Sequence, residues 1–362
     1  MLRIHRDAPR AVPVDVSQRL ARFGLTVPDL FTTDRGNAKL RKGAGPGLDC
    51  RAVILHHFPA GALARAIDPA NQQDGARGFL PALLELAERN GLVSQARAHN
   101  GCPWLTAGCG SAGGGCLVFS GHGGMGQAVS YARGRRTLAM IAGPELYGRA
   151  VFWALLRHHR AAVSAGQLLT CRLRGTDEGP ACGWHHLPIS ISSAEALSIR
   201  DRYGVDVAPG VAPLPERLAA LPALRWHEYS KAPTTGALGL IAQRSAGCDV
   251  TASFAADRAT ACRDALEALR QGFRLAVPVA IKRGAPIPET LTISTAEESR
   301  TVATVDGDRH DHRWQDPAGV AVILRTKVSR GRVASVADPF SLRPHGLLQI
   351  LADGDVRLSW PD

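Results

Sequence analysis

Three cysteines, Cys102, Cys109 and Cys116, stand in a C-x6-C-x6-C array within NGCPWLTAGCGSAGGGCLVFSGHGGMG, Asn100–Gly126. Thiolates are soft donors that select zinc or iron–sulfur clusters. The many glycines around them disfavour helix and strand, because glycine gives up the most backbone entropy on ordering. They also let backbone amides approach sulfur closely. A loop wrapped round a metal accounts for both features. With His122 the array becomes C-x6-C-x6-C-x5-H, a Cys3His set that closes a tetrahedral zinc site. Without it, three thiolates leave one position of a cluster open for a cofactor or substrate. Spacing alone leaves zinc and cluster both standing, and three unrelated free thiols are the plain alternative.

A second chemical stretch is VDGDRHDHRWQD, which packs four aspartates, two histidines and two arginines into twelve residues. Hard carboxylate oxygens at alternate positions suit Mg²⁺ or a nucleotide ribose; the bland reading is a salt-bridged, solvated turn. Lys231, two residues after Tyr229, reads as a phosphate contact or a general base, or else as a lysine snorkelling at a domain edge. The scattered Cys50, Cys171, Cys182, Cys248 and Cys262 read as small buried hydrophobes. Cys182, close to His185 and His186, is the fourth-ligand candidate. Three histidine pairs, at 56–57, 158–159 and 185–186, seldom chelate one ion, because adjacent side chains point apart.

Elements must position these groups. Apolar runs predict strands at Arg51–Phe58, Leu168–Leu173, Leu224–Ser230, Gly239–Gln243, Leu275–Ile281 and in VAVILRTKV. Helical patterning covers Leu80–Gly91, Gln127–Gly166 with a break at Gly143-Pro144, Ser193–Tyr203 and Ala259–Phe273. Residues 62–76 read as loop. Short apolar strands alternating with helices indicate a mostly parallel α/β sheet, open or closed into a full or partial (β/α) barrel. In such folds chemistry collects at the C-terminal ends of strands. Polar residues follow the strands there: Arg174 to Glu178, Tyr229 to Lys231, Gln243 to Ser245, and Lys282 with Arg283. The expected organisation is a basic N-terminal arm over 1–35, an α/β domain over 36–330 carrying the metal loop 100–126, and a small β appendage over 331–362.

The chain has 362 residues, 45% hydrophobic content and a formal net charge of +11, carried mainly by arginine. No run is apolar enough for a membrane span, and the N-terminus lacks the apolar core of a secretory signal. The expectation is a cytoplasmic protein with reduced thiols and no membrane partner. The arginine excess suggests a polyanion such as nucleic acid, with Arg133, Arg135 and Arg136 clustered after the cysteine loop; a GC-rich genome accounts for the same excess without one.

Several segments in order, NAKLRKG, CPWLTAGC…CL…SGHGG, RLRGTDE, WHEYSKAPTT and VDGDRHDHRWQDPAGVAVILRTK, resemble a family of phage and mobile-element proteins related to the phage "gene product 88" group. The resemblance spans about Asn37 to Lys327. It implies a radical-SAM-like barrel or partial barrel with small terminal appendages, and an iron–sulfur enzyme modifying a nucleic acid or nucleotide. Cys102, Cys109 and Cys116 would hold a 4Fe-4S cluster, with S-adenosylmethionine as a possible cofactor. Arg172, Arg174, Asp306, Asp308, Asp311 and Arg313 would line the cofactor site, with Lys231, Tyr229 and Asp177 as the catalytic set. The usual C-x3-C-x2-C spacing of radical-SAM enzymes is absent. The alternative from a different class is a Zn²⁺-stabilised nucleic-acid-binding protein without catalysis.

Overall fold

This computed structural model describes residues 12–33, 49–59, 61–72, 78–102, 126–176, 186–255, 258–279 and 286–325, and the backbone of 348–350 and 356–359. Cys109, Cys116, His122, Asp177, Cys182, His185, Lys282 and Arg283 lie outside the described residues.

Among the described residues, eleven strands form one sheet. Its centre is a run of parallel neighbours: β2 (Cys50–Leu55), β3 (Leu168–Arg172), β6 (Leu224–Ser230), β7 (Asp249–Ser253), β8 (Arg274–Val279), β11 (Ala321–Arg325) and β10 (Ser299–Asp306). An antiparallel β1 (Phe31–Thr33) flanks β2. On the far side β9 (Thr290–Ser294) runs antiparallel to β10, and β13 (Val356–Ser359) and β12 (Leu348–Ile350) follow it. A separate antiparallel pair joins β4 (Pro188–Ile191) to β5 (Gly210–Pro213). The architecture is therefore mixed α/β with a large, mostly parallel sheet; β1 and β12 end it, and no pairing among the described residues closes it into a barrel.

From β2 to β8 each parallel strand is laid beside its predecessor in chain order, always in the same direction. Right-handed crossovers then put all the intervening helices on one face. The packing agrees. Val53, Leu55, Leu169, Cys171, Trp226, Val250, Leu275 and Val277 share one core with the helices, whereas Ala52 and Ile54, pointing the other way, form a small cluster of their own. The connection from β10 to β11 steps backwards along the sheet. The same handedness rule sends it across the opposite face, and its single 3-10 turn, Arg313–Gln315, packs on β6 and β7.

The helices are α1 (Val14–Ala21), α2 (Ala62–Ala66), α3 (Pro81–Arg89), α4 (Val93–Ala98), α5 (Gln127–Ala142), α6 (Pro144–Ser164), α7 (Ser193–Tyr203), α8 (Leu214–Leu218), α9 (Leu240–Ser245) and α10 (Ala261–Arg270). Pro144 opens α6, where its missing N–H costs nothing. Ser192 and Glu195 cap α7 reciprocally, and Gly204 ends it in the left-handed region. No helix among the described residues is long and apolar enough to cross a membrane.

Three readings change. The expected strand at Gly239–Gln243 is helix α9. Gly239 lies so close to the preceding turn that a Cβ would meet the Thr235 carbonyl at 2.3 Å, and Leu240 and Gln243 are buried at helical spacing. The strand of that crossover is instead Asp249–Ser253. Residues 62–66 form a helix rather than loop. The beginning of the chain is also more engaged than a free arm: Val16, Leu20, Phe23 and Leu30 are buried in the common core.

Candidate functional site

The helix-free face of the sheet is polar where it would be expected to be apolar. Strand alternation aims Thr170 and Arg172 of β3, His227 and Tyr229 of β6, and Thr251 of β7 at that face. The register pairs Ile54 with Arg172, and Tyr229 with Thr251. Thr170, Arg172, His227 and Thr251 are all buried. The central guanidinium carbon of Arg172 sits over the Tyr229 ring, 4.9 Å from its centroid. Among the described residues Arg172 has no hydrogen-bond partner. The hydroxyls of Thr170 and Thr251 and both ring nitrogens of His227 have none either, although the Asp311 carbonyl lies towards the His227 ring. Buried polar atoms are nearly always satisfied, so such a concentration requires a ligand or ordered water.

The β10–β11 crossover lies over this face and runs from its C-terminal end to its N-terminal end. At the start, Asp306 Oδ1 accepts the Asp308 amide at 2.9 Å and pairs with Arg325 at 2.8 Å, while Asp308 accepts the Arg325 amide at 3.1 Å. These two aspartates fold the turn and clamp β11. They are committed to that turn and lie apart from Arg172, contrary to the expected cofactor contact. In the middle, Arg313 is fully buried; its guanidinium donates to the His310 carbonyl and pairs with Asp316 at 3.0 Å. The His312 ring lies 6.4 Å from that of His227. At the end, Arg274 bridges Asp249 at 2.6 Å and the Asp316 carbonyl at 2.7 Å, pinning the crossover to the beginnings of β7 and β8.

Electrostatics follow from this enclosure. Burial drives the His227 imidazole well below its ordinary value, and the cations Arg172 and Arg313 act in the same direction, so the ring is neutral. Burial pushes the Tyr229 phenol up to about 12. Tyr229 thus remains an O–H donor near neutral pH and is not a base. Beside β2, His56 is also held well below its ordinary value by burial and then by Arg133, Arg172 and Arg136, and its Nδ1 is buried without a partner.

The structure thus brings together Arg172, Tyr229 and Arg313, with Asp311 close enough to Tyr229 to act on its phenol. Arg174 departs from the expected set. Its guanidinium donates to Gln243 of α9 at 2.7 Å, on the helix side, next to the buried Glu228. Glu228 Oε1 accepts the Leu173 amide at 2.5 Å and the Trp226 indole at 2.9 Å, fastening the exit of β3 to β6. Lys231, just past β6, lines a small cavity with Thr234, Phe254 and Arg258, and its carbonyl accepts from Arg258 at 2.9 Å.

Of the metal loop, the described part ends at Cys102. That residue is buried, its amide is held by Asn100 at 3.0 Å, and His99 contacts the Phe58 carbonyl at 3.2 Å, just beyond the exit of β2. Among the described residues no group of three or more His, Cys, Asp or Glu side chains could hold a metal. Cys171 and Cys248 are fully enclosed, and burial raises both thiols well above their ordinary value, which rules them out as ready thiolates. In two of the histidine pairs, His57 turns to the Tyr147 hydroxyl at 2.9 Å, and His158 meets Phe31 edge-on.

The chain matches no protein-family model, no curated protein and no solved structure. Function therefore rests on the site. Sequence reading missed His227, Thr170, Thr251 and Glu228. The signal for His227 was present: in a strand it shares a face with Tyr229, two residues away.

Proposed function

We propose that the chain is an iron–sulfur enzyme of radical-SAM-like type acting on a nucleotide or nucleic-acid target. The observation that carries this reading is the order of the sheet. Parallel strands are added one after another with helices on one face only, which leaves a polar face under a single crossover. Cys102 arrives beside the exit of β2, at the end of the strands where Arg172 and Tyr229 also lie. The donor chemistry fits: three thiolates in one glycine-rich segment suit a 4Fe-4S cluster held by Cys102, Cys109 and Cys116. When bound, such a cluster supplies one electron and an open iron for a ligand such as S-adenosylmethionine.

The chain's own residues do the positioning. Tyr229, kept protonated, offers a hydrogen bond without accepting a proton. Arg172 sits over the Tyr229 ring, and the crossover shields the face from water. Lys231, just past β6, belongs to the proposed catalytic set, together with Asp177, which lies outside the described residues. The test is anaerobic purification with iron, sulfide and zinc analysis. Iron and sulfide in stoichiometric amounts, with visible absorbance, are expected. Cys102→Ser should lose most of the iron, whereas Cys50→Ser and Cys262→Ser should keep it. Stoichiometric zinc without iron would favour the zinc-stabilised nucleic-acid-binding protein, and absence of both metals would end both readings.

A further inference from the structure

We infer that the helix-free face of the sheet is a binding site for an oxyanion, a phosphate or carboxylate group carried by a small molecule, with Arg172 as its central ligand. The site would lie on Arg172, His227, His56, Thr170, Thr251 and Tyr229. This goes beyond the proposed reaction, and it stands on the inner face alone, whichever metal the cysteine loop takes.

The inference starts from an imbalance. A buried guanidinium normally spends its donors on carboxylates or carbonyls, because desolvating an unpaired charge is costly. Other buried arginines do so: Arg313 on Asp316 and the His310 carbonyl, Arg174 on Gln243 on the helix side, and Arg136 on the Asp29 carbonyl. Arg172, only 8% exposed, instead presents its guanidinium to the Tyr229 ring. Its buried Nε has no hydrogen-bond partner among the described residues, and a guanidinium fork can grip two oxygens of a carboxylate or phosphate.

The surroundings suit an anion and not a metal. Neutral His227 and His56 each offer an N–H in one tautomer, and the threonine hydroxyls are further donors. Three of the carboxylates close by are engaged, and a fourth, Asp311, acts on the Tyr229 phenol from the crossover. Asp316 is tied to Arg313, Asp249 to Arg274, and Glu228 Oε1 takes three donors from the opposite face. Arg133 and Arg136 add positive potential at His56. An oxyanion on Arg172 would draw on donors of the strands beside it, and it would supply the charge partner that Arg172 lacks among the described residues.

The test uses the full chain as purified, with its metal content measured in the same sample. Binding is read by calorimetry and by thermal shift with inorganic phosphate and with acetate, each against sodium chloride at equal ionic strength. At least one of the two anions should bind saturably and raise the melting temperature above the chloride control. Arg172→Gln should weaken that binding at least tenfold. Arg172→Lys, which keeps charge but loses the fork, should weaken it severalfold. Arg135→Gln, outside the site, should leave it unchanged. His227→Asn is the second probe if Arg172→Gln does not fold, and it should also weaken binding severalfold. Phosphate alone binding would assign a phosphoryl-bearing ligand, and acetate alone a carboxylate. The proposal is overturned if neither anion binds above the chloride control, or if folded Arg172→Gln or His227→Asn binds like the parent. Because the metal is assayed separately, a chain without iron that still binds phosphate refutes the cluster and not this site.

Discussion

The guanidinium of Arg172 lies over the face of Tyr229 at 4.9 Å, joining β3 to β6 across the polar side of the sheet. The two residues thereby become one unit, with the cation seated over the ring. Cation–π contacts of this kind contribute about 0.5–2 kcal/mol. Tyr229→Phe keeps the ring and should stay within about 0.5 kcal/mol of the parent in urea denaturation, while Tyr229→Leu should lose about 1–2 kcal/mol. Equal losses in both variants would show that the hydroxyl, rather than the ring face, sustains the contact.

Gly307 sits where β10 hands the chain to the crossover. A Cβ there would meet Leu324 Cδ2 at 2.5 Å and the Ile323 carbonyl at 2.8 Å. The backbone oxygen cannot move aside without breaking the strand, so Gly307→Ala should cost about 1–3 kcal/mol. Gly126→Ala, where a Cβ meets nothing within 4 Å, should be neutral within about 0.5 kcal/mol. A neutral Gly307→Ala would mean that the crossover does not seat as closely on β11 as described.

Arg135 and Arg136 of α5 hold the beginning of the chain. Arg133 and Arg136 are buried, Arg136 donates to the Asp29 carbonyl at 2.9 Å, and Arg135 donates to Gly24 at 2.5 Å. Arg136→Ala should destabilise the fold by about 1.5–3 kcal/mol, the range for a hydrogen bond to a charged group. Arg135→Ala should leave the salt dependence of any oligonucleotide binding unaltered. A slope smaller by about one in the Arg135→Ala protein would return this helix to a nucleic-acid interface.

Acid sensitivity should come from histidines that fold neutral. Burial, then Arg51 and Arg157, lower His158 to about 4; burial, then Arg313 and Arg309, do the same for His310. In the unfolded chain both regain the ordinary value of 6.5. Between these values the unfolded state binds more protons, so stability is complete above about 6.5 and falls as pH drops towards 4. His158→Gln should flatten the decline when urea midpoints are measured across that window. An undiminished decline in His158→Gln and His310→Gln would assign the acid response to other groups, such as the buried His56 and His227.

Much of the scaffold was readable from local pattern. The α6 start at Pro144, α7 from Ser193 to Tyr203 and β6 from Leu224 to Ser230 fall where capping residues and apolar runs predicted them. Segment Gly239–Gln243 failed because a short apolar run satisfies strand and helix alike; burial of Leu240 and Gln243 at helical spacing shows which of the two forms. The DGD motif was legible as a carboxylate cluster. Its partner Arg325 was not, because the pairing forms only when β10 and β11 lie parallel.

By itself the amino-acid sequence determined the alternation of strands and helices, the apolar faces that bury them, and the residue types able to do chemistry, including the thiol-rich segment. These follow from periodicity and side-chain chemistry over a few residues. Tertiary structure alone decided which of those residues meet. It set Arg172 against Tyr229 and sent Arg174, two residues later, to Gln243 on the other side. It also laid His312 and Arg313 over His227. The physical reason is the path of the chain: the handedness of each crossover fixes the face it covers, and residues far apart in the sequence become neighbours only after the sheet has assembled.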